Sequence, residues 1–128
     1  MTRTFIQSSS FERSWYRLGL TDAELRILEI MILDDPKRGV VVPGTGKLRK
    51  MRFPIENRGK RSGLRIMYVD LQEWGTVLLI AVFAKSEKAD LSRQECHELR
   101  KAIERIEQFL EGQKSKRIEQ LPGGKRNE

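Results

Sequence analysis

Residues 63–84 read GLRIMYVDLQEWGTVLLIAVFA, two strand-like runs on either side of a short break. In the first run Leu64, Ile66 and Tyr68 fall on one face and Arg65, Met67 and Val69 on the other, the two-residue period of a β-strand. The second run, Thr76 to Ala84, is almost wholly apolar. A strand of that composition is covered on both faces and belongs at the centre of a sheet. Leu71-Gln72-Glu73-Trp74-Gly75 is long enough only for a hairpin connection.

Upstream, Val40-Val41-Val42 is β-branched, Pro43-Gly44-Thr45-Gly46 is a turn, and Lys47 to Phe53 predicts a strand. On that strand Met51 and Phe53 point one way, Lys50 and Arg52 the other. Pro54 to Ser62 is a polar, basic loop. Further back, Thr21 and Glu24 form a capping box ahead of Leu25, Leu28 and Ile32, and Pro36 closes that helix. Ser8-Ser9-Ser10 offers caps for an earlier helix carrying Phe11, Trp15 and Leu18, and Thr4 to Gln7 suits a short first strand. Downstream, Ser92 and Glu95 form a second capping box, followed by an apolar stripe of Leu99, Ala102, Ile103, Ile106 and Leu110. Gly112 is expected to end this helix and leave residues 112–128 as a loose basic tail. The order β-α-α-β-β-β-α predicts an α+β domain over residues 1–111. Two N-terminal helices pack on a mainly antiparallel, twisted sheet, and a C-terminal helix follows.

At 128 residues, 38% apolar and 34% charged, the chain suffices for one core under a heavily charged surface. One cysteine, Cys96, excludes an internal disulfide framework and fits a reducing cytosol. No apolar run approaches the roughly 18–20 residues that span a bilayer, and the N-terminus lacks an apolar signal core, so a cytoplasmic location without membrane contact is expected. The formal charge of +7 is uneven: residues 1–36 carry −2, residues 37–65 carry +9, residues 66–111 carry −3 and residues 112–128 carry +3. Crowding like charge costs stability by self-repulsion, which points to a polyanionic partner, nucleic acid first.

Most enzyme signatures are missing. Gly44-Thr45-Gly46-Lys47 lacks the spacing, the following hydroxyl residue and the strand-to-helix setting of a phosphate-binding loop. His97 directly follows Cys96 on a helix, where neighbours point about 100° apart, so the two cannot act as base and nucleophile. One Cys and one His cannot build a zinc site, and neither a metal nor another cofactor is expected. What remains is a set of strand cations: Lys50 and Arg52, then Arg65, then Lys85 at the end of the last strand. Arg65, between Leu64 and Ile66, needs an anionic partner, either an internal acid such as Glu29 or Asp34 or a bound phosphate.

Three segments, Gly44 to Phe53, Gly63 to Tyr68, and Leu79 to Ser92 with its Phe83-Ala84-Lys85-Ser86-Glu87-Lys88 core, resemble the RelE/HigB family of type II toxin–antitoxin toxins, the HigB-like branch most of all. The resemblance spans residues 3–111. It implies a small endoribonuclease that cuts messenger RNA on the ribosome and so inhibits translation. The RNA 2′-hydroxyl attacks the adjacent phosphate without a metal, and a cognate antitoxin, of the HigA-like helix-turn-helix kind, holds the toxin inactive. By position it implies Lys50, Arg52, Arg65 and Lys85 as catalytic cations and Lys47, Arg49, Phe83 and Lys88 as RNA contacts. Where some members carry a tyrosine or histidine near the end of the last strand, this chain has Phe83, which can stack on a base but transfers no proton, leaving Lys85 as the local proton donor. Two alternatives stay open: a gyrase poison of the ParE-like kind with the same fold, and a nucleic-acid-binding module without activity.

Overall fold

A computed structural model describes residues 2–54, 63–85 and 91–119, with side chains to residue 116. The elements run β1 (Thr4–Gln7), α1 (Ser9–Arg17), α2 (Asp22–Asp34), β2 (Val40–Val41), β3 (Arg49–Phe53), β4 (Leu64–Leu71), a 3-10 turn (Gln72–Trp74), β5 (Thr76–Ala84) and α3 (Arg93–Glu119). They form an α+β fold around one five-stranded sheet in the order β1-β5-β4-β3-β2. β1 runs parallel to β5 and the other pairings are antiparallel. Both central strands, β4 and β5, come from the hairpin of residues 63–84.

The alternation on β4 sorts its side chains into two cores. Leu64, Ile66 and Tyr68 join Phe11, Trp15, Leu28, Ile32, Met51, Phe53, Val77 and Leu79 beneath α1 and α2. Met67, Val69 and Leu71 join Leu48, Leu78, Phe83 and Ile103 on the other face, with Leu99, Ile106 and Leu110 of α3 packed against them. In the first core Trp15 stacks between Phe11 and Phe53, with ring centroids at 5.5 Å and 6.0 Å. The second core gives β5 its second covered face, which explains its unbroken apolar run.

Both capping boxes form. Thr21 Oγ1 accepts from Glu24 N at 3.1 Å while Glu24 Oε1 accepts from Thr21 N at 2.9 Å. Ser92 and Glu95 repeat the exchange at 3.0 Å and 2.8 Å. The helix that Ser92 starts does not stop at Gly112 but continues to Glu119. Gly112 keeps a helical backbone rather than a left-handed one, and an interior glycine costs a helix only about 1 kcal/mol. Lys114 and Lys116 then complement the negative end of the helix dipole.

A bulge shapes β5. Met67 pairs with Ala81 and Tyr68 with Leu79, so Ile80 has no partner on β4. Ile80 and Ala81 both pack toward α3, after which Val82 returns to the α1–α2 core and Phe83 to the α3 core. Ser8 anchors the distortion: its amide donates to Leu79 O at 3.0 Å and its hydroxyl to Ile80 O at 2.8 Å. The same oxygen accepts from Phe11 N at 2.9 Å as the N-cap of α1.

Candidate nucleic-acid interface

The register of the sheet decides which cations can meet. Arg52 on β3 lies directly opposite Arg65 on β4, and Arg65 lies directly opposite Phe83 on β5. Lys50, two residues before Arg52, is opposite Met67 and shares the same face, the one that α3 partly covers. Neighbouring strands are about 4.8 Å apart, and like charges placed directly opposite destabilise a sheet. Among the described residues no acid pairs with the guanidinium of Arg52 or Arg65. The internal partners considered for Arg65 are committed elsewhere: Glu29 pairs with Arg26 at 3.8 Å and Asp34 with Arg38 at 3.4 Å. Both acids sit on α2, which covers the opposite face of the sheet.

Arg65 is half-buried and Arg52 exposed. The Arg52 side chain lies across Gly63, where a Cβ would come within 3.1 Å of Arg52 Nε. The missing side chain at residue 63 thus leaves room for the Arg52 side chain. Two planar forks from adjacent strands, with no acid partner among the described residues, suit the non-bridging oxygens of a phosphate. Lys85 immediately follows β5, one residue beyond the Leu64–Ala84 pair, and is exposed.

Other expected contacts are placed differently. Phe83 is only 8% exposed and packs in the core beneath α3, so it serves as the apolar floor beside Arg65 and not as an open stacking platform. Arg49 does not join the row. It falls on the α1–α2 side of β3, where Nη1 donates to Gly39 O at 2.7 Å and to Lys37 O at 3.3 Å. Its partner across the strands, Tyr68, donates to Pro36 O at 2.8 Å and accepts from Gly39 N at 3.0 Å. Together they tie the α2–β2 turn to the sheet. Burial raises the pKa of Tyr68, while the Gly39 amide and the nearby Arg49 charge offset part of that rise. Lys47 forms an ion pair with Glu107 of α3. Lys88 lies outside the described residues, as do Glu87 and Asp90. Cys96 and His97 stand on α3 beside Pro43 and Gly44. Among the described residues no three His, Cys, Asp or Glu side chains cluster as metal ligands would.

Side-chain type alone did not separate Arg49 from Arg52, although strand parity places them on opposite faces. The spacing role of Gly63 was also missed; a glycine opening a strand beside a cation was its only trace.

No protein-family model matches the chain. One similar solved structure is that of the E. coli toxin RelE, a double arginine-to-alanine mutant in the free state. It aligns with 69% of this chain and 88% of its own at a TM-score of 0.49 and 16% sequence identity.

Proposed function

We propose that the chain is the toxin of a type II toxin–antitoxin pair, a ribosome-dependent messenger-RNA endoribonuclease of the RelE/HigB kind acting in the cytoplasm. The observation that carries this reading is the Arg52–Arg65 pair, two guanidinium groups directly opposite one another on an otherwise well-packed sheet, with no acid partner among the described residues. Support also comes from the sequence segments around Lys50, Arg65 and Lys85.

In this reading the scissile phosphate sits over Arg52 and Arg65. The 2′-oxygen attacks phosphorus, the bond to the 5′-oxygen breaks, and a cyclic phosphate and a 5′-hydroxyl result. Arg65 and Arg52 stabilise the charge that builds on the phosphorane oxygens, a task for groups that stay protonated. Lys50, on the same face, acts as general base toward the 2′-hydroxyl, and Lys85 as general acid toward the leaving 5′-oxygen. No metal enters these steps. Ribosomal and messenger RNA are the polyanions that the +9 segment meets, and a HigA-like antitoxin is the partner that restrains the activity.

The test is expression of the chain alone, with wild type compared to Arg65→Ala. Wild type is expected to arrest translation and leave messenger RNA fragments with 5′-hydroxyl ends. Arg65→Ala should fold normally and cut roughly 100–1,000-fold more slowly. A DNA-damage response in place of translation arrest would mark a gyrase poison, and unhindered growth a binding module; either defeats the proposal.

A further inference from the structure

A second basic feature lies away from the strand row. Arg93, His97 and Arg100 recur at helical spacing on one face of α3 and, with Cys96, line a groove whose opposite wall is Pro43 and Gly44. No acid lines it. Gly44 holds that wall in a turn with a φ of +84°, which suits glycine, and a Cβ there would make ordinary contact with Cys96 Cβ at 3.7 Å.

Arg93 opens α3 and so stands against the helix dipole, since the first turn of a helix favours acids and a base there is mildly destabilising. Glu95 satisfies the N-terminus through the capping box, so the end of the helix is already occupied. Glu98, the next acid, is held by the side chain of Gln94 at 3.0 Å. Among the described residues Arg93 has no ion pair, and Arg100 has only an exposed contact to Glu104 at 3.5 Å, a kind that water and salt weaken. Arg93 and Arg100 are seven residues apart, about 10 Å along the axis, too far to grip one phosphate together but suited to successive charges of a backbone.

We infer that this groove is a second site for the RNA backbone, holding nucleotides that flank those on the Arg52–Arg65 row. The inference rests on the RNA reading of the strand row. The groove adds affinity and length dependence, and carries no chemistry.

The test uses the full chain and non-cleavable 2′-O-methyl oligonucleotides of roughly four and roughly sixteen nucleotides. Wild type should bind the longer one more tightly and with a steeper salt dependence. In Arg93→Gln/Arg100→Gln the short oligonucleotide, which reports the strand row alone, should bind as in wild type. The longer one should lose about tenfold in affinity, and its log–log salt slope should shrink by about 1.4, two contacts' worth on a single strand. Arg93→Lys/Arg100→Lys should keep most of the gain. Unchanged binding of the longer oligonucleotide by the Gln variant overturns the groove while leaving the strand row standing. So does a Lys variant as weak as the Gln one, since charge would then not be the cause. Intact RNA binding with lost affinity for an acidic protein would assign the groove to a protein partner instead. A wild type that binds neither length defeats the RNA reading and the groove with it.

Discussion

Tyr68 bonds at once to two backbone groups of the α2–β2 turn, Pro36 O and Gly39 N, from within the first core. Tyr68→Phe removes the oxygen and leaves a buried amide without a partner, which costs about 1–3 kcal/mol. Denaturant melts at neutral pH should show that loss. The same side chain sets a pH dependence. Burial raises its pKa above the usual tyrosine value near 10, so the folded chain holds the phenolic proton more tightly than the unfolded one. The contribution is whole below that pH and is lost as pH rises through the higher folded value, because the unfolded state gives up its proton first. Stability should therefore fall in the alkaline range in wild type and fall less in Tyr68→Phe. Tyr16, raised by its bond to Asp22, is exposed and adds little. An equal alkaline loss in both proteins would show that Tyr68 is not the group responsible. At this scale the sequence was a partial guide. The period of β4 grouped Tyr68 with Leu64 and Ile66, as in the fold, but nothing local showed that Arg49 would be spent on carbonyls of the turn. That turn reaches β3 only through folding, and Gly39 permits the approach because a Cβ there would meet Lys50 O at 3.0 Å.

Among the elements, α1 and β5 share one residue. Ser8→Ala removes the N-cap of α1, worth about 1 kcal/mol, and also leaves the carbonyl of the bulged Ile80 without its hydroxyl donor, a further 1 kcal/mol or so. Thr21→Ala at the head of α2 removes a capping box on the exposed surface and no more. Ser8→Ala should thus destabilise the protein about twice as much as Thr21→Ala in urea unfolding. Equal losses would mean that the bulge does not depend on Ser8. The caps themselves were legible because a cap is local chemistry: a hydroxyl, a carboxylate three residues on, then an apolar stripe. The bulge was not, because an uninterrupted apolar run hides any change of parity. Its consequence is the placement of Phe83 beneath α3 beside Arg65, where the sequence alone had offered it to an RNA base. The run of α3 past Gly112 was hidden for a related reason, since a glycine ends a helix only where the chain turns left-handed.

At the scale of the whole molecule the order of elements and the central hairpin were readable from patterning. The parallel pairing of β1 with β5 and the coverage of the second sheet face by α3 were not, since both join residues some seventy and thirty-six positions apart along the chain, as Thr4 with Thr76 and Met67 with Ile103. The concentration of charge was plain in composition, yet its division of labour emerges only in the fold. Of the ten bases in residues 37–65, Arg49 holds a turn, Lys47 is paired with Glu107 and Arg38 with Asp34. The net +9 is thus an upper limit on what a polyanion can use. Arg52 is the clearest remainder, exposed and without an acid partner among the described residues. If this face meets ribosomal RNA, co-sedimentation with ribosomes should weaken steeply as salt rises, because each phosphate contact releases condensed counterions. Arg52→Gln should lower the log–log slope by roughly one contact, between about 0.7 and 0.9, and weaken binding at every salt concentration. Lys47→Gln should change the slope less, since that lysine already neutralises Glu107, and its loss should appear instead as looser docking of α3 in thermal melts. A slope that falls with Lys47→Gln and not with Arg52→Gln would move the RNA footprint off the strand row and onto the turn that precedes it.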